Sequence, residues 1–396
     1  MKTKIHKELS KYTFHPSIDN IHILEQDEYK KLYHEMKMEY DRIKRDFEDN
    51  KEEKLHIETK MISKNELKEK IGNTTFFSNE IKKYVMKNDK YIHHFVYDEI
   101  EIDVYSSKKK LSKKEKNEIE KMIVLTLMCK DTYDRPNEYH QKITYFPTPF
   151  KKNISKSHSH ILGPHECNSG LTYVNTIEDP KKNNNGDIIL YRKEENMKVL
   201  IHELIHSNYR DLMLIKHSDN RDFTKKFCTD YDILLNESYT EFHATIMNVF
   251  FVGILENKTE NEINQMLQNE IKYGIYVSNH ILEHYKIKDL HEIIKRDDFC
   301  KKKLHQKTNI ISYYLFKPIQ MFHLSEMNHF LKNHTEWIQI NSKEGVNQYR
   351  DKLLEWYMKP EINELCKISL NIKKRNKKNR NKKIKYMNTL RMTLYE

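Results

Sequence analysis

Lys198-Val199-Leu200-Ile201-His202-Glu203-Leu204-Ile205-His206 is an apolar run broken by His-Glu-x-x-His. Residues four apart on a helix lie on one face, so His202 and His206 point at the same spot. Two neutral imidazoles at that spacing hold one Zn²⁺. Glu203, beside the first of them, is placed to act on a water there. Val199, Leu200, Ile201, Leu204 and Ile205 make the rest of the helix apolar, so it is expected to be buried with one polar stripe.

The chain has 22 histidines among 396 residues, so the bare motif has a real chance-match risk. Random matches in so polar a sequence would carry charged neighbours, and these flanks are apolar. A third ligand is therefore sought downstream. Leu235-Asn236-Glu237-Ser238-Tyr239-Thr240-Glu241-Phe242 supplies an acid at the start of a second apolar helix, Glu237 to Leu255.

The two motifs together resemble the gluzincin class of zinc metallopeptidases, over about 50 residues from Glu195 to Thr245. That class follows His-Glu-x-x-His with a helix bearing Asn-Glu-x-x-x-Asp or a Leu-Asn-Glu variant. The resemblance implies that His202, His206 and Glu237 are metal ligands and that Glu203 is the catalytic base. It also implies that Glu241 buttresses a ligand histidine, with Glu standing where Asp is commoner. The gap from His206 to Glu237 is 31 positions (237 − 206), longer than is usual in the class. The polar segment Asp211 to Asp232 accounts for it as an insertion. The metzincin pattern fails, because Tyr209 and Leu212 stand where it needs Gly and His. SprT-like proteases take a histidine as third ligand, which leaves His217 as the alternative to Glu237. Gluzincins often set a Tyr or His beside the developing oxyanion, and Tyr313 or Tyr314 is the candidate here, against a plain core role for either.

The chain is long enough for two or three packed units. Hydrophobic residues make up 37% and charged residues 33%, so a core is possible beneath a heavily charged surface. The formal charge is +11, but Lys, Asn, Ile and Tyr are all abundant and all have AT-rich codons. Part of the charge is therefore codon usage and not selection for an acidic partner. The five cysteines, Cys129, Cys167, Cys228, Cys300 and Cys366, are dispersed and form no Cys-x-x-Cys pair. Neither a disulfide framework nor a cysteine zinc site is expected, and a reducing compartment is favoured. Met1 to His15 lacks an apolar h-region, so no secretory signal is expected. The most apolar run, Thr245 to Leu255, is too short to span a bilayer. The expected location is intracellular: cytoplasm, nucleus or virion.

Residues 20 to 60 place Tyr29, Leu32, Tyr33, Met36, Tyr40, Ile43 and Phe47 at helical spacing, and predict a charged amphipathic helix. Ile100, Ile102 and Val104 alternate with Glu99, Glu101 and Asp103, as in a half-buried strand. His93 and His94 just before them read as ordinary strand residues. Ser112 with Glu115 is a capping box that opens a helix through Met122, Leu125 and Cys129. Short strands are predicted at Lys142 to Phe146, Leu171 to Val174 and Asp187 to Tyr191. His158, His160 and His165 form a histidine-rich loop whose spacing matches no zinc pattern. Residues 260 to 366 are helical in period, with Pro318 expected to break or kink a helix after Ile311 to Phe316. The basic run 371 to 385 reads as solvated, with salt-sensitive contacts to polyanions or nucleic acid and no sequence preference.

The expected fold class is α+β. A charged helical region (1–85) precedes a zincin-like core (86–256) that holds both motifs. A helical subdomain (257–366) and a basic, disordered tail (367–396) follow. The expected activity is peptide-bond hydrolysis with one Zn²⁺ per chain, acting on a protein or peptide substrate. The alternatives are a SprT-like, nucleic-acid-associated protease that uses His217, or an idle zincin fold with a structural or nucleic-acid-binding role.

Overall fold

The computed structural model describes residues 9, 14, 16–72, 75–132, 140–154, 157, 160–173, 186–217, 219–295, 299–366 and 389–396. The fold is α+β and divides into two units by contact. One comprises 32–151, 168–210 and Glu396, and the other comprises 1–31, 152–167 and 211–395.

The first unit is built on a six-stranded mixed sheet. Its strands are β1 (His56–Met61), β2 (Tyr91–Tyr97), β3 (Ile100–Ser106), β4 (Gln141–Tyr145), β5 (Gly170–Tyr173) and β6 (Asp187–Leu190). Their order is β1-β2-β3-β4-β6-β5, so β1 and β5 are the edges. The β3/β4 and β4/β6 pairs are parallel and the rest antiparallel. The alternation in β3 has its expected physical cause. Ile100, Ile102 and Val104 are buried while Glu101 and Asp103 are half-buried. His93 and His94 face opposite ways on β2. His93 bridges Thr59 Oγ1 and the Lys108 carbonyl, and His94 Nδ1 meets Asp103. The capping box forms as the sequence predicts: Ser112 N–H donates to Glu115 Oε2 and Glu115 N–H to Ser112 Oγ. It opens the helix Lys113–Thr132, whose Met122, Leu125 and Cys129 are buried. Asp27–Lys54 is the predicted amphipathic helix, and all seven apolar residues of its stripe are buried. Its first residues count with the other unit.

The second unit is helical. Its longest elements are Leu235–Leu255, Glu260–His284 and Lys343–Met358, with the π-helix Ile311–Phe316 running into the helix Lys317–Phe322. Pro318 thus sits at the start of a helix, where its missing N–H costs little. The short hairpin Thr335–Glu336 with Gln339–Ile340, and isolated β-bridges at Ile294, Leu304 and Gln306, depart from the helical expectation. Leu235–Leu255 is buried almost throughout. His243 on it packs against the rings of Tyr239 and Phe242 at 4.3 and 4.9 Å. Neither ring nitrogen finds a hydrogen bond among the described residues. Burial pushes the His243 pKa down to about 3. The unfolded imidazole takes up a proton below about pH 6.5. Folding opposes that uptake, so stability is expected to fall as pH drops from about 6.5 towards 3. Urea midpoints measured across that window check this, and His243→Phe should flatten the slope.

Two expectations are corrected in this unit. Cys228 and Cys300 form a disulfide across 72 positions, with a Cα–Cα distance of 5.6 Å. The dispersal that argued against a disulfide hid a pair brought together by chain folding, and the case for a reducing compartment loses that support. Cys129, Cys167 and Cys366 are buried and form no disulfide. The end of the supposed tail is not solvated either. Thr389, Leu390 and Met392 to Leu394 are buried, with Leu390, Thr393 and Leu394 fully so. The basic run 371 to 385 lies outside the described residues.

Candidate metal centre

His202 and His206 sit on the helix Asn196–Ser207, which is buried over its last ten residues. Polar ties at both ends fix its rotation. Asn196 Nδ2 donates to Glu118 Oε1 at 2.6 Å and to the Tyr145 hydroxyl at 3.0 Å. At the other end Ser207 Oγ donates to Gln141 Oε1 at 2.6 Å, and Gln141 Nε2 donates to the Gly186 carbonyl at 3.0 Å. With the helix pinned to β4 and the start of β6, the two imidazoles converge. Their Nε2 atoms are 3.1 Å apart and the rings are nearly perpendicular at 72°. Tetrahedral zinc, with bonds of about 2.0–2.1 Å, sets its ligands about 3.3 Å apart, so this spacing fits one ion.

Glu237 lies in the first turn of Leu235–Leu255 and is half-buried. The Tyr313 hydroxyl, on the π-helix, donates to Glu237 Oε2 at 2.9 Å. π-Helical turns are often found at functional sites, and this one sets the tyrosine against the carboxylate. Tyr314 instead donates to the Leu390 carbonyl, a core contact. Tyr231 is a second phenol near this acid. Its pKa is raised first by burial and then by the negative charge of Glu237.

One ligand atom each of His202, His206 and Glu237 lies within 4.8 Å of the others. Among the described residues no other group of three His, Cys, Asp or Glu side chains meets that spacing. His217 ends the helix Leu212–His217, is exposed and lies outside the group. In the histidine-rich loop, His160 pairs with Glu166 at 3.0 Å, and His158 lies outside the described residues. Two imidazoles and one carboxylate form the donor set that borderline-soft Zn²⁺ takes, and a fourth position would remain open.

Glu203 is 6% exposed and is held by a residue the motif does not contain. Thr172 on β5 donates from Oγ1 to Glu203 Oε2 at 2.7 Å. Gly170 makes that approach possible. A Cβ there would lie 2.7 Å from Val199 Cγ1 and 2.8 Å from Glu203 Oε1. The Ser169-Gly170 pair before a predicted strand was the available signal, but its meaning depends on which helix packs there. Gly170→Ala is expected to displace Glu203, destabilise the fold by about 1–3 kcal/mol as overpacking does, and leave the histidine pair able to bind zinc. Urea unfolding alongside zinc titration checks this.

Glu241 is fully buried, and its Oε1 lies 3.5 Å from Lys317 Nζ. A buried lysine beside the supposed buttress was not anticipated, because lysine is rarely fully buried unless paired. No protein-family model matches this chain, and no curated protein or solved structure resembles it, so the geometry alone carries the functional reading.

Proposed function

We propose that the protein is a zinc metallopeptidase with a zincin-like, gluzincin-type site. The observation that carries this is the meeting of His202, His206 and Glu237 with Glu203 adjoining them. The three side chains would hold the metal. Zinc, when bound, supplies Lewis acidity that lowers the pKa of water to about 7 and polarises a carbonyl.

The chain's own residues do the rest. Thr172 orients the Glu203 carboxylate through Oε2, and that carboxylate accepts a proton from the attacking water. Glu203 then returns that proton to the leaving amine. The Tyr313 hydroxyl holds the Glu237 carboxylate in place through Oε2. β5 pairs with β6 on one side and, among the described residues, ends the sheet on the other. Its outer edge, next to Glu203, offers backbone N–H and C=O groups to an extended peptide. The SprT-like alternative has no geometric support, since His217 is outside the group.

Glu203→Gln is nearly isosteric and cannot accept the proton. It should keep one zinc per chain and lower hydrolysis of a mixed peptide library by about 10²–10⁴-fold, the usual range for a general base. Zinc retained with unchanged turnover would refute the mechanism. Zinc lost in the mutant would mean that Glu203 serves the metal instead.

A further inference from the structure

A cavity of about 230 Å³ lies in the mixed-sheet unit. It opens at the carboxyl ends of the parallel neighbours β3 and β4, where Val104 to Ser106 and Tyr145 form part of its wall. Such strand ends are where sheets of this kind tend to receive ligands. None of His202, Glu203 or His206 lines it.

Its charges do not balance. Lys108 is matched by Glu115 at 2.8 Å and Lys193 by Glu118 at 3.4 Å. Asp89, also in the wall, has no ion pair or side-chain hydrogen bond among the described residues. Burial alone pushes its pKa up to about 7, as befits a carboxylate without a counter-charge. Tyr105 is a second unmatched group in the wall. It is fully buried, and its hydroxyl finds no hydrogen-bond partner among the described residues. After burial, the negative charges of Asp103, Glu66 and Asp89 raise its pKa, so the field at that hydroxyl is negative.

The missing partner is therefore a cation that donates hydrogen bonds. A metal ion is disfavoured, since no group of three ligand side chains gathers here among the described residues. An ammonium has three donors and no acceptor, which suits a carboxylate and a phenol oxygen. The ring of Tyr84 adds an aromatic wall of the kind that attracts cations. Val104, Leu111 and Ile119 supply an apolar side for an alkyl chain. At about 30 Å³ per water, the cavity has room for roughly seven waters, or a molecule with a similar number of heavy atoms.

We infer that this cavity binds a short aliphatic primary amine, with its ammonium against the Asp89 carboxylate and the Tyr105 hydroxyl oxygen and its chain along Val104, Leu111 and Ile119. The amine can be a free diamine or the side chain of a lysine. Glu118, in the same wall, also accepts from Asn196 at the start of the His202 helix. The ligand would thus sit one residue contact away from that helix.

The test is calorimetric titration of the full chain with 1,4-diaminobutane, with Nα-acetyl-lysine N-methylamide, and with 1-butanol as the uncharged control. At least one amine should bind and butanol should not. Binding of the diamine alone identifies a free amine as the ligand, and binding of the lysine amide alone identifies a lysine side chain. Asp89→Asn should weaken binding by about tenfold or more, since a charge-assisted bond is lost. Tyr105→Phe should weaken it by about fivefold, and it remains informative if Asp89→Asn misfolds. Failure of both amines to bind at millimolar concentration, or equal affinity in wild type and both variants, overturns the inference.

Discussion

A chain ending at residue 388 is expected not to complete its helical unit. Residues 389–395 are held there from many sides. Leu390 N–H donates to the Lys152 carbonyl, and Asn248 Nδ2 donates to Thr393 Oγ1 and the Tyr395 carbonyl. Lys317 donates to the Met392 carbonyl. Glu270, fully buried, accepts from Thr393 Oγ1 and from the Leu394 and Tyr395 N–H groups. Burial raises the Glu270 pKa, while Lys317 and these donors pull it back. Removing the segment uncovers Leu390, Met392 and Leu394, at about 1.5–3 kcal/mol each. It also strips partners from two buried charged groups, at about 1–3 kcal/mol or more each. The sum is comparable to a whole domain stability of about 5–15 kcal/mol. The shortened chain should be rapidly proteolysed, and adding the peptide 389–396 in trans should partly restore protection. A truncated chain with the urea midpoint of the full chain would show the segment to be dispensable.

Glu237→Ala is expected to abolish tight zinc binding, with a loss beyond the 10–100-fold typical of outer-shell partners. The loss should be large because the carboxylate is pre-positioned. It stands on a 21-residue helix that is almost wholly buried, and Tyr313 holds its Oε2. A ligand supported in this way adds little ordering cost on binding. His217→Ala should leave zinc untouched, since that residue is exposed. Zinc stoichiometry on the two purified variants decides the point. Full zinc in Glu237→Ala would remove the third ligand and the gluzincin-type reading with it. That result would leave the amine cavity unaffected, because its residues are separate.

Features with a local cause were legible in the sequence. β3 shows a period of two because one face is buried and the other meets water. The Asp27–Lys54 stripe and the Ser112–Glu115 box needed no distant partner. The helix with His202 and His206 was legible because its flanks are apolar. What escaped depends on residues far apart in the chain. Gly170 matters only because Val199 and Glu203 come within a Cβ radius of it. Cys228 and Cys300 gave no spacing cue. Lys317 reads as a surface residue until Glu241 and Met392 are placed around it. The last residues were obscured by the basic run before them, which set the expectation for the whole end of the chain.

The placement of residues 389–395 also bears on synthesis. The ribosome emits the helices Leu235–Leu255 and Glu260–His284 more than 100 residues before the segment that satisfies Glu270. Contacts of such long sequence separation form late and slow folding. Throughout that interval Glu270 lacks the hydroxyl and N–H donors that hold its carboxylate in the folded chain. The protein is thus expected to engage chaperones during translation, and to mature only after residue 395 has cleared the exit tunnel.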